Sequence, residues 1–142
     1  MKILMCVTTA FAILSGSAFA DPIADRKATM KERGGLVGGL AKVAKGETPF
    51  DAAAVMTALQ SLDTNAKAFD VDALFPAGSE TGDTKASPQI WQDMAGFKAA
   101  ADKYAADVAA AVAAQPADLA AFQTQFGAIT SNCGGCHKAW RL

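Results

Sequence analysis

The run Cys133-Gly134-Gly135-Cys136-His137, near the C-terminus, sets two thiols three residues apart and a histidine four residues after the first. On a helix those positions share one face. The C-x-x-C-H pattern is that of covalent haem attachment, in which both thiols add across the vinyl groups of one porphyrin edge and the imidazole binds iron. Three other readings account for the letters less well. A thioredoxin-like C-x-x-C opens a helix after a strand, whereas this one closes a chain of helical periodicity. Structural zinc wants four Cys, His or carboxylate ligands, and beyond residue 20 the chain holds only these two cysteines and one histidine. A plain disulfide, or two idle thiols, leaves His137 a coincidence.

The motif continues an apolar stripe, Leu119, Phe122, Phe126, Ile129, Cys133, Cys136 and Trp140, so the last helix carries it on the buried face. Gln115-Pro116 separates that helix from the one before, whose stripe Ile90, Met94, Phe97, Ala101, Tyr104, Val108 and Ala111 begins at a Ser87-Pro88 cap and runs to about Ala114. Earlier, Thr48-Pro49-Phe50-Asp51 predicts a helix start with Thr48 as N-cap, followed by Ala52, Val55, Leu59, Leu62, Ala66 and Phe69 at alternating three- and four-residue steps. Asp21-Pro22 opens the first helix, with Ile23, Met30, Val37 and Ala44 at seven-residue intervals, and Gly46 ends it. Leu74 to Ala86, with Pro76, Gly78 and Gly82, reads as a surface loop. The expected fold is all-α: a four-helix up-down-up-down bundle with covalent haem c near one end. Helix rise puts Met30 roughly 12 Å into the first helix and His137 roughly 8 Å from the end of the last, at the same end of the bundle.

Residues 1–20 read as a cleavable signal peptide: Met1-Lys2, an apolar run from Ile3 to Leu14, and Ala18-Phe19-Ala20 before Asp21. Cleavage would remove Cys6 and leave 21–142 as one bundle domain. The expected location is the periplasm, where bacterial haem attachment takes place. The 142-residue chain is nearly neutral, with 13 basic and 14 acidic residues, and nothing in it points to nucleic acid or to stable membrane insertion. Alanine is abundant and β-branched residues are sparse, which favours helix.

A single histidine excludes bis-histidine ligation within one chain. The sixth ligand is then a methionine, an outside molecule, or none. Met56 falls at the far end of the bundle and reads as core, whereas Met30 and Met94 both reach the haem end. Gap-filling in an apolar core is the plain alternative for either. Gly34-Gly35 and Gly38-Gly39 cost the first helix about 1 kcal/mol each against alanine; close helix approach or room for a porphyrin would compensate. Arg26, four residues before Met30, is placed either to meet a haem propionate or to lie solvated on the surface. Arg141, four after His137, either flanks the proximal face or favours the helix C-terminus. Trp91, Phe97 and Trp140 are candidate pocket walls or ordinary core.

With the haem motif on the last helix, the chain resembles the cytochrome c′ family, the class II cytochromes c, over essentially all of 21–142. Besides Cys133-x-x-Cys136-His137, the resemblance rests on Arg26-x-x-x-Met30, Ala44-Lys45-Gly46-Glu47 before Pro49, Leu74-Phe75-Pro76 and Ser87-Pro88-Gln89-Ile90-Trp91. It implies Cys133 and Cys136 as thioether anchors, His137 as proximal iron ligand, Met30 as distal ligand and Arg26 as propionate partner. In the high-spin branch the distal residue covers an open sixth site where NO or CO binds, with Arg141 flanking gas on the proximal side. In the low-spin branch methionine ligates, and Met30 to Glu47 with Ser87-Pro88-x-Ile90-Trp91 looks more like that branch. The expected function is a one-electron carrier serving redox partner proteins, as monomer or homodimer, and the alternative is a five-coordinate NO/CO binder. No nucleophile and base pair marks an enzyme.

Overall fold

In the computed structural model, which describes residues 21–142, six helices follow in order: α1 Pro22–Ala44, α2 Ala52–Lys67, α3 Val71–Leu74, α4 Gln89–Gln92, α5 Met94–Ala114 and α6 Leu119–Trp140. The four long ones, α1, α2, α5 and α6, form the expected up-down-up-down bundle, and the described residues contain no strand. Residues 1–20, read from sequence as a signal peptide, lie outside the described residues. No described helix is long and apolar enough to cross a membrane.

Local chemistry sets the ends. Asp21 caps α1 by accepting from the Ile23 and Ala24 N–H groups, with Pro22 at the first helical position. At the other end Gly46 takes φ +75°, its N–H reaches Val43 O and Glu47 N–H reaches Lys42 O, the paired bonds of a Schellman stop. The second helix starts later than the sequence predicts. Asp51, not Thr48, is its N-cap, extended at φ −127° and accepting from Ala54 N–H at 2.7 Å, a contact worth about 1 kcal/mol. Pro49 and Phe50 therefore stay outside the helix, and Phe50 packs on Phe122 with centroids 6.2 Å apart.

The third helix also departs from expectation, because it is broken. Asp93 leaves helical geometry at φ −134°, ψ 65° and caps α5 by accepting from Gly96 N–H. A Cβ at position 96 would collide with the Asp93 carboxylate, so the glycine makes the restart possible. The anticipated surface loop is preceded by α3 and is partly interior, with Phe75 and Ser79 buried. Its end is tied to the last helix: Ser87 N–H donates to Trp140 O at 3.0 Å, Leu142 N–H to Lys85 O at 2.9 Å, and Ala86 pairs with Arg141 in an isolated bridge.

The apolar interior forms two clusters. The larger holds Leu40, Val55, Leu59, Leu62, Tyr104, Val108, Phe122 and Ile129. The smaller, at the other end, gathers Val71, Phe75, Ile90 and Phe97, with Cys136 and Trp140 packed against it. Four edge-on contacts stiffen it, Phe75 to Phe97 at 4.8 Å, Phe97 to Trp140 at 5.7 Å, Phe69 to Phe75 at 5.9 Å and Phe69 to Phe97 at 6.4 Å.

Candidate haem site

Between the two clusters lies a cavity of about 640 Å³, within the roughly 300–1,000 Å³ of cofactor pockets. Its wall draws on both: Val37 and Tyr104 from one side, Phe75, Ile90, Phe97 and Trp140 from the other. Cys133, Cys136 and His137 line it from α6, and Arg26, Met30, Arg33 and Gly34 from α1. The last turns of α6 can present the motif there because Trp140 packs on Phe97 and the Lys85–Ser87 segment holds the helix end.

Both cysteines are free and half-buried. Burial pushes their thiols above the ordinary range, with Arg33 pulling the other way, so neutral S–H groups wait at the wall for addition to an alkene. Burial, then Arg141 and Arg33, hold His137 below the ordinary imidazole value. A neutral ring keeps a nitrogen lone pair for a metal. Met30, on the facing helix, is among the few exposed large apolar side chains at 37 %. It lines the cavity, and of α1 only Arg26 and Leu40 are buried.

Met30 and Met94 separate clearly. Met94 packs against the smaller cluster and does not line the cavity, and Met56 packs against the larger one. Of the aromatics, Phe97 and Trp140 form wall, whereas Trp91 stands behind it and donates its Nε1–H to Phe75 O and Pro76 O. Arg141 lines the cavity from the end of α6. Apart from their own helix, nothing in the chain lies within 4 Å of a Cβ built at Gly34, Gly35, Gly38 or Gly39, so no other helix of this chain approaches them closely. Gly34 borders the cavity.

The fold recurs in known proteins. The family model described as Cytochrome C′ matches residues 21–141. The chain belongs to the cytochrome c′ family. It is 43% identical over 131 residues to cytochrome c-556 of Agrobacterium fabrum strain C58, covering 92% of this chain and 88% of the relative. Among solved structures, cytochrome c′ from Rhodobacter Spheriodes superposes with a TM-score of 0.80 at 32% identity, covering 87% of this chain and 98% of the other. A mutant of cytochrome c prime from Alcaligenes xylosoxidans, solved as its nitric oxide complex, gives 0.76 at 31% identity, covering 88% and 96%. The cofactor of this family is covalently attached haem c, and the residues here fit it: two neutral thiols one turn apart, a neutral imidazole beside them, and an apolar slot between two cores.

In this family member Arg26 is no solvated surface arginine. It is 4% exposed, and its Nη1 donates to Leu74 O and Ser79 Oγ while Nη2 donates to Ser79 O at 2.7 Å and Thr84 Oγ1 at 3.0 Å. The guanidinium also lies 5.0 Å from the Phe75 centroid and 5.7 Å from Trp91. Its Nε is buried without a partner.

Two residues of the wall escape sequence reasoning, Arg33 and Tyr104. The signal for Arg33 was present: Arg26, Met30, Arg33, Val37 and Leu40 step 4-3-4-3, the same rhythm that marks the other buried faces. Tyr104, the only tyrosine, is 6% exposed with an unpartnered hydroxyl, and burial pushes its pKa up to about 12 against an opposing pull from Arg33. Its folded value exceeds the ordinary 10, so between those limits the native state holds a proton the unfolded chain has lost. Stability is accordingly unaffected below pH 10 and falls as pH rises towards 12. Tyrosinate difference absorbance near 295 nm should show a single native-state step displaced alkaline of free tyrosine; a step at the ordinary value would contradict the burial.

Proposed function

We propose that the protein is a periplasmic one-electron carrier whose haem c is anchored by Cys133 and Cys136 and ligated by His137 and Met30. The observation that carries the reading is that α1 and α6 line one cavity with a thioether and an imidazole, while Met94 stays outside it. Bound haem c supplies a one-electron iron couple. The chain supplies the rest. Cys133 and Cys136 would hold the porphyrin edge to α6 through their sulfurs. His137 offers a neutral nitrogen, and the Met30 sulfur, a soft donor, favours the ferrous state. Arg26 holds the loop with its terminal nitrogens and borders the cavity, where its positive charge would face a propionate. The cluster around Phe97 and Trp140 excludes water from one face.

The leader-like residues 1–20, whose cleavage would leave 21–142 as the working domain, and the site chemistry of haem attachment support export. Redox proteins of that compartment are the partners, and no nucleophile and base pair at the site supports an enzyme reading. The second reading is a five-coordinate haem that binds NO or CO, favoured by the nitric oxide complex formed by the Alcaligenes relative. The exported protein from cells competent in cytochrome maturation decides between them. A carrier is expected to weigh one haem more than its polypeptide and to give a low-spin ferrous spectrum that CO does not alter. A high-spin spectrum that shifts with CO sinks the carrier reading, and a bare polypeptide mass sinks both.

A further inference from the structure

Arg33 stands one turn beyond Met30 in the wall of the haem cavity and is held on three sides. The Phe69 and Tyr104 rings sandwich its guanidinium, at 4.8 and 4.3 Å to their centroids. Its Nε donates to Asn65 Oδ1 at 2.9 Å, and Asn65, 4% exposed, is itself fixed by donating to Thr29 O and Glu32 Oε2. Nη2 is sealed from water and has no partner. Arg33 takes part in no ion pair among the described residues.

The neighbouring charges leave this cation largely uncompensated. Glu32 makes no ion pair with it, its carboxylate accepting from Asn65 instead, and acts on it only as a weaker, more distant charge. On its other side lies a smaller cleft of about 230 Å³ that shares Arg33, Phe69, Ala101 and Tyr104 with the haem cavity. There Asp72 is already paired with Lys98 at 2.7 Å, and Asp102 lies on the exposed rim. Burial lowers the Arg33 guanidinium from its ordinary value while Tyr104, Cys133 and Cys136 act in the opposite sense; an arginine nevertheless stays protonated at any physiological pH.

Reduction of ferric to ferrous haem adds one electron and no proton need move with it. A fixed positive charge beside the porphyrin, half-buried and so only partly screened by solvent, stabilises the reduced form more than the oxidised one. We propose that Arg33 sets the reduction potential: a clamped cation in the cavity wall that biases the haem towards the ferrous state. The proposal rests on haem occupying this cavity, and it holds for either axial ligation.

Spectroelectrochemical titration of the holoprotein tests it, with Arg33→Gln, Arg33→Met and Arg33→Lys beside the parent. Gln and Met remove the charge, and each is expected to lower the reduced-to-oxidised ratio at fixed electrode potential about tenfold, which is ~59 mV for a one-electron couple. Lys keeps the charge and should stay within about threefold of the parent, the tenfold loss being the effect of charge removal alone. If both neutral variants titrate with the parent, or if Lys falls as far as Met, packing and not charge is at work and the proposal is overturned. Should Met take up haem poorly, Gln, which retains an N–H donor for Asn65 Oδ1, carries the comparison. The visible spectra of the same samples report axial ligation separately, so a high-spin parent would count against Met30 as ligand and leave the Arg33 result standing.

Discussion

Met30→Ala is expected to turn a low-spin haem protein that ignores CO into a high-spin one that binds it. Removing the side chain removes the thioether that α1 brings into the cavity, and no second sulfur replaces it there, since Met94 packs against the smaller cluster and Met56 against the larger one. His137 and the two cysteines are untouched, so haem should remain attached with an open distal face. In the haem-free chain the stability cost should be modest, because Met30 is 37% exposed there and leaves no buried void of the kind that makes Met→Ala cost about 2–5 kcal/mol in a core. The visible spectrum of the ferrous variant, with and without CO, is the readout. A variant that stayed low-spin would show that some other donor ligates iron and would remove Met30 from the site.

Arg26→Leu should be the most destabilising single change at the haem end. Leu fills comparable apolar space against Phe75 and Trp91 but strands Leu74 O and Ser79 O, both of which accept from the guanidinium. Four donated hydrogen bonds are lost. Net hydrogen bonds to charged donors contribute about 1.5–3 kcal/mol each but are not additive, so a total near 3–5 kcal/mol is expected. For a domain of this size that lowers Tm by about 10 °C or more, measurable by thermal unfolding of the holoprotein. Arg26→Lys should recover only part, because a compact ammonium cannot span the carbonyls and hydroxyls that a planar fork reaches together. If Leu left Tm unchanged, the loop would not depend on this arginine.

The bundle and the helix that carries the motif are legible in the sequence because apolar periodicity and a five-residue motif are both local signals. Helix starts were less so. Thr48-Pro49 and Ser87-Pro88 both have the form of a cap, yet Asp51 and Asp93, a few residues further on, compete better for the first free N–H groups of their long helices. Arg26 was legible as a candidate but not as the clasp of the loop, since its partners lie 48 to 58 residues away in the chain. Arg33 was passed over for a related reason. A charged residue on an apolar stripe looks like an interruption until Phe69, Tyr104 and Asn65, from two other elements and a connection, are found around it.

The division of the interior into two apolar nuclei bears on how the protein matures. The nucleus around Leu59, Val108 and Phe122 is continuous across all four long helices and can consolidate unaided, whereas the one around Phe75 and Phe97 is small and leans on Cys136 and Trp140. Chain lacking its pigment should therefore be a half-set scaffold, firm at one end and breathing at the other. Slow amide exchange in the apoprotein is expected around Leu59 and Val108 but not around Ile90 and Phe97. The breathing end is the one that bears both thiols, which leaves them within reach of the attachment machinery until the graft is made and the barrel of helices closes over it.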